Sequence, residues 1–129
     1  MKVQGMDLGV VGVEQLLYAG EVSFDTTGIA TGVKLIDLPE GVIVTRATAV
    51  VKTAFDAGTT NVLTVGTNSG VDDILGSSDI TEGTAGAYTV NKFVEYNEAK
   101  TVKAKYTQTG TDATAGKAEI YLHVVRIPV

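Results

Sequence analysis

The stretch Lys100-Thr101-Val102-Lys103-Ala104-Lys105-Tyr106-Thr107 decides the fold class. Its apolar residues, Val102, Ala104 and Tyr106, alternate one for one with Thr101, Lys103, Lys105 and Thr107. A helix would scatter that pattern around its circumference, whereas a strand sends one set to a core and the other to water. Lys117 to Ile127 repeats it, with Ala118, Ile120, Leu122 and Val124 set against Glu119, Tyr121, His123 and Val125. Working back along the chain, strand character runs over Glu21 to Asp25, Val33 to Leu38, Val42 to Phe55, Asn61 to Gly66 and Tyr88 to Tyr96. In the longest of these, Ile43, Ala47, Ala49, Val51 and Phe55 are expected inside, and Arg46, Thr48 and Lys52 outside. Glycine-bearing turns separate the runs, for example Gly28 to Gly32, Pro39-Glu40-Gly41 and Gly110 to Gly116. Seven strands with turns between them predict an all-β, antiparallel β-sandwich.

Composition agrees. Val, Thr and Ile supply 44 of the 129 residues, and their branched Cβ atoms suit pleated strands better than helices. The length suits one domain, and no linker divides it, so residues 21–129 are expected to form the sandwich. Residues 1–20 carry Gly5, Gly9, Gly12 and Gly20 and are expected to form an extended N-terminal arm. Within it Val13 to Ala19 could wind one or two helical turns, with Val13, Leu16 and Leu17 on one side. Thr67 to Gly86 is a long connection holding four glycines, in which Val71, Ile74 and Leu75 are expected to anchor a helical turn.

The residues offer little catalytic chemistry. There is no cysteine, which removes thiolate nucleophiles, redox pairs and disulfides. The single imidazole, His123, lies in a strand with no Gly-x-Ser-x-Gly elbow to serve, and reads as structural or interfacial. Asp72 and Asp73 are adjacent, so their carboxyls diverge rather than flank a bond to be hydrolysed. Asn68, Asp72, Asp73, Asp79 and Glu82 have ligand chemistry suited to calcium but not the spacing of a calcium loop, and read as turn-forming and capping acids. Gly66-Thr67-Asn68-Ser69-Gly70 lacks the lysine and long helix of a phosphate cradle. No catalytic, metal or cofactor-binding residue is assigned, and no enzyme activity is expected. The net charge of −5 opposes nucleic-acid and anionic-membrane binding, and Lys92, Lys100, Lys103, Lys105 and Lys117 are expected to solubilise strands. No apolar run approaches the length of a membrane span, and no signal segment is read at the start. With no Trp and only Phe24, Phe55 and Phe93 beside five tyrosines, aromatic platforms for sugars are scarce.

What remains is apolar surface. Val42, Val44 and Val50 lie opposite Ile43 and Val51, so that strand has two apolar faces. One face is expected to meet the core and the other a neighbour, which predicts a homo-oligomer.

Two segments carry a resemblance. Ala54-Phe55-Asp56-Ala57-Gly58-Thr59-Thr60-Asn61-Val62-Leu63-Thr64-Val65-Gly66 and Tyr106-Thr107-Gln108-Thr109-Gly110-Thr111-Asp112-Ala113-Thr114-Ala115-Gly116-Lys117-Ala118-Glu119-Ile120 resemble stretches of tailed-bacteriophage virion structural proteins of the head-decoration, head-fibre or accessory type. The resemblance implies a jelly-roll-like sandwich that assembles as a ring, with a trimer favoured, located on the virion, and it brings no catalytic residue. The expected role is a non-enzymatic virion component that joins its own copies and attaches to capsid or tail proteins, with the arm of residues 1–20 as an attachment element. The alternative is a carbohydrate or host-receptor binding module using the 67–86 loop.

Overall fold

The structure, a computed structural model, describes residues 12–128. The described residues form seven strands: β1 (Glu14–Ser23), β2 (Val33–Leu38), β3 (Val42–Thr53), β4 (Thr60–Gly66), β5 (Gly86–Tyr96), β6 (Lys100–Thr109) and β7 (Lys117–Arg126). They make two antiparallel sheets, one in the order β1-β7-β3-β5 and the other in the order β2-β6-β4. Odd-numbered strands fill one sheet and even-numbered strands the other, so every connection crosses between sheets. The protein is an all-β sandwich.

The two inner faces share one core. Leu17, Val22, Val44, Ala47, Ala49, Ile120, Leu122 and Val124 come from the four-stranded sheet, and Ile36, Leu38, Leu63, Val65, Val102, Ala104 and Tyr106 from the three-stranded sheet. The alternation in β6 and β7 is realised residue for residue. Ala47 and Ala49 keep the middle of β3 thin, which leaves room for bulkier side chains from the facing sheet, as close packing requires. At one end Phe55 sits just past β3 and packs at 4.7 Å between centroids against Tyr106, whose hydroxyl donates to Asn61 Oδ1.

Three sequence expectations are corrected. The stretch Val13 to Ala19 is not helical: β1 begins at Glu14 and pairs with β7 along its length, so residues 14–20 belong to the sandwich. The expected arm over residues 1–11 lies outside the described residues. A bulge between Tyr18 and Gly20 turns Ala19 inward, and Gly20, at φ 152° and within 3.1 Å of Leu35 Cδ2 for any added Cβ, lets β1 approach β2. The second correction concerns Ile43. The register shifts between Val44 and Arg46, so Val42 and Val44 point inward before the bulge and Ala47, Ala49 and Val51 after it. Ile43 is therefore on the outer face, where Val125 and Glu95 flank it, yet it is buried there as expected of an inside residue.

The third correction is the helical turn in the 67–86 segment. Val71 adopts a positive φ of 55°, incompatible with a right-handed turn, and Leu75 instead forms a single bridge to Val65. The Val65 N–H donates to the Leu75 carbonyl at 3.0 Å, while the N–H groups of Ile74 and Leu75 donate to the Val65 carbonyl. Val71, Ile74 and Leu75 are buried, as expected of anchors. The segment covers the edge of β4, which otherwise presents unpaired backbone groups.

Candidate assembly surface

The outer face of the four-stranded sheet displays exposed apolar groups on strands β1 and β5. Strand registers arrange it in rows. Leu16, His123, Arg46 and Asn91 follow one another across β1, β7, β3 and β5, and Tyr18, Tyr121, Thr48 and Thr89 form the next row. Leu16 is 59% exposed, Tyr18 52% and Phe93 74%, and Val13, just before β1, is exposed as well. The Tyr18 and Tyr121 rings lie 5.4 Å apart at 56°, a tilted pair.

Polar contacts within the face fix its side chains. Thr48 and Thr89 hydroxyls are 2.9 Å apart, and Arg46 Nε donates to Asn91 Oδ1 at 3.3 Å. The Thr45 hydroxyl donates to Glu14 Oε2, and this bond holds the Glu14 carboxyl below its usual range, with Arg46 and His123 assisting. The Tyr121 hydroxyl donates to Glu119 Oε1 at 3.1 Å, so the carboxylate raises the pKa of that phenol. Desolvation raises Tyr18, and the nearby charges of Glu119 and Glu21 add to it. The face thus carries exposed apolar groups on its two edge strands, Leu16 and Tyr18 on β1 and Phe93 on β5, with the Tyr18–Tyr121 pair beside them and a bonded polar band of His123, Arg46, Asn91, Thr48 and Thr89 between.

The opposite face, on the three-stranded sheet, is basic. Lys103 and Lys105 project from β6 beside Lys34 of β2, and the one carboxylate in that group, Asp37, is bound to Lys34 Nζ at 2.7 Å. The Lys34 bond, joined by one from the Thr101 hydroxyl, holds Asp37 below its ordinary value. The other expected lysines lie apart from these: Lys100 pairs with Glu98, while Lys92 and Lys117 belong to the other sheet.

The 67–86 acids are occupied by the segment's own groups and by the backbone of β4. Asp73 accepts from the Thr67 N–H and hydroxyl at 2.6 and 2.7 Å, and Asp79 accepts from the Gly76 N–H at 2.7 Å. Asn68 and Asp72 bond reciprocally: Asn68 Nδ2 donates to Asp72 Oδ1, and the Asp72 N–H donates to Asn68 Oδ1. Glu82 is buried and accepts from the Leu63 N–H of β4 at 2.8 Å, while burial pushes its carboxyl pKa up. Gly66 admits no side chain, because a Cβ would fall 2.5 Å from both the Asp72 nitrogen and Asp73 Oδ1. Among the described residues no three His, Asp or Glu side chains gather as a metal site. His123 is half-buried on the outer face of β7, with Leu16 and Arg46 as its cross-strand neighbours. Leu16 and Tyr18, exposed on the edge strand of this face, are hidden in the sequence by the glycines that mark their segment as an arm.

No family model matches the chain, and no curated protein matches it in sequence. Its fold is similar to that of solved phage structures. One is a chain of the cyanophage Pam1 capsid asymmetric unit, with a TM-score of 0.67 and 20% identity over 99% of this chain and 94% of that one. Another is in the acidic stable capsid structure of Helicobacter pylori bacteriophage KHP30, with a TM-score of 0.60 and 18% identity over 93% of this chain and 97% of that one. At these identities the likeness defines a shared two-sheet fold.

Proposed function

We propose that this chain is a non-enzymatic structural component of a bacteriophage particle, acting by joining copies of itself and other virion proteins. The observation that carries this is the exposed outer face of the four-stranded sheet, where Leu16, Tyr18 and Phe93 stand in water on a stiff scaffold. A lone molecule gains nothing from that arrangement, and a neighbour that covers it removes apolar area from water at about 25 cal/mol per Å². The near full-length likeness in fold to two phage capsid chains supports the same reading. So does the alternation of strands between sheets, which is what a jelly roll of seven rather than eight strands gives, with the 67–86 segment in the place of a strand beside β4.

Within the particle the chain serves as a decoration or accessory subunit, a homo-oligomer with a trimer favoured, and the segment preceding β1 contributes to attachment on capsid or tail proteins. Fold alone hosts many functions, so the role needs a direct test. Particles produced by the genome that encodes this chain, purified on a density gradient, are expected to contain it in many copies by quantitative mass spectrometry. Its absence from particles while abundant in the same lysate would refute the role.

A further inference from the structure

Two like-charged pairs stand on opposite sides of the sandwich. On the outer face of the four-stranded sheet, Glu21 of β1 lies directly opposite Glu119 of β7. On the outer face of the three-stranded sheet, Lys34 of β2 lies directly opposite Lys103 of β6. Like charges in directly opposed positions destabilise the strand pairs that carry them. Each pair is only half compensated. Lys52 Nζ is 3.7 Å from Glu119 and Asp37 binds Lys34, but Glu21 and Lys103 have no oppositely charged partner among the described residues. Among the described residues a single copy therefore holds the Glu21 carboxylate without a partner beside the Tyr18 and Tyr121 rings, and the Lys103 and Lys105 ammonium groups without one on the far side.

We infer that the Glu21–Glu119 pair of one copy receives the Lys34–Lys103 pair of a second copy, so that the outer face of one sheet packs on the outer face of the other sheet of its neighbour. This names the partner of the assembly surface and rests on the proposed structural role. The charges select a second copy as occupant, because the same chain supplies both complementary pairs. The tyrosines support it, since lysine stems cover apolar surface and their ammonium groups are attracted to ring faces. Two different surfaces meet, so the contact is heterologous: it closes into a ring if the rotation allows, or continues as a lattice if it does not.

The test is sedimentation velocity on the full chain, with far-UV circular dichroism to establish that each variant is folded. Both Glu21→Lys/Glu119→Lys and Lys34→Glu/Lys103→Glu are expected to weaken self-association at least about tenfold at physiological salt. An equimolar mixture of the two variants is expected to restore it, because each reversed face then meets a complementary one. Undiminished association of the folded Lys34→Glu/Lys103→Glu variant, or failure of the mixture to recover, would overturn the inference. So would a wild-type chain that stays monomeric at about 1 mM. The mass-spectrometric count of the wild-type chain in particles reports on the structural role separately, so either proposal can fail while the other stands.

Discussion

Replacing Gly116 with alanine is expected to cost about 2–6 kcal/mol, one of the larger penalties a single methyl group can impose on this fold. Gly116 immediately precedes β7 at φ 148°, and a Cβ there would lie 2.3 Å from Phe55 Cδ2 and 2.7 Å from Cγ. The ring has little room to yield. It is 2% exposed and packs against Tyr106, whose hydroxyl is tied to Asn61. Relieving the overlap through off-rotamer side chains or backbone shifts costs about 1–3 kcal/mol, and holding alanine at a positive φ costs about 1–3 kcal/mol more. Against a net stability of about 5–15 kcal/mol that is a large fraction. In urea, with a slope of about 2 kcal/mol per molar, the unfolding midpoint should fall by about 1–3 M. Phe55→Ala removes the clashing Cγ, Cδ2 and Cε2 atoms, so the double variant should recover at least about 1 kcal/mol relative to the sum of the singles, while the backbone part of the penalty persists. A midpoint shift under about 0.3 M, or strict additivity with Phe55→Ala, would refute this account of the contact between Gly116 and Phe55.

Two carboxylates predict opposite responses to pH. Burial raises the folded-state pKa of Glu82 above its unfolded value, so its contribution is complete below the unfolded value and is lost as pH rises through the folded one. Glu82→Gln keeps an acceptor for the Leu63 N–H without the buried charge. It should match or exceed wild-type stability at neutral pH and flatten the pH dependence just above the ordinary glutamate range in urea titrations; a marked loss at neutral pH would contradict this. Asp56 behaves in the reverse sense: bonds from the Thr114 N–H, the Thr114 hydroxyl and the Ala115 N–H hold its pKa below the usual aspartate range. Its contribution is complete above the unfolded value and lost as pH falls through the folded one. Asp56→Ala should lower the thermal midpoint at neutral pH, and the gap should close at low pH; a gap that persists there would count against the ionised cap.

The parts of the fold that follow from side-chain alternation were legible in the sequence. Val102, Ala104 and Tyr106 in β6, and Ala118 to Val124 in β7, are inside because a strand of period two with one wet face allows nothing else. β1 escaped because both its faces are apolar: Leu16 and Tyr18 look outward while Leu17 and Ala19 look inward, so no alternation marks it. Alternation alone puts Ile43 on the same face as Ala47, but a bulge at Thr45 inverts the count, and nothing in Val42 to Arg46 announces a bulge. At the 67–86 segment the buried anchors were legible and their backbone was not, since the bridge of Leu75 to Val65 depends on an edge that exists only once β4 and β6 have paired. The assembly surface was visible only as an excess of apolar groups on a second strand face. Its like-charge pairs, Glu21 with Glu119 and Lys34 with Lys103, are set by cross-strand register, which a linear sequence does not display.

The central claim is that the outer face of the four-stranded sheet is covered in the working state of the protein. Hydroxyl-radical footprinting of the full chain, free at high dilution and then in its assembled form, reads that coverage one side chain at a time. Leu16, Tyr18 and Tyr121 should oxidise readily in the free chain and become protected on assembly, while buried residues such as Leu122 stay unreactive in both. Equal oxidation of Leu16 and Tyr18 in the two states would contradict the claim.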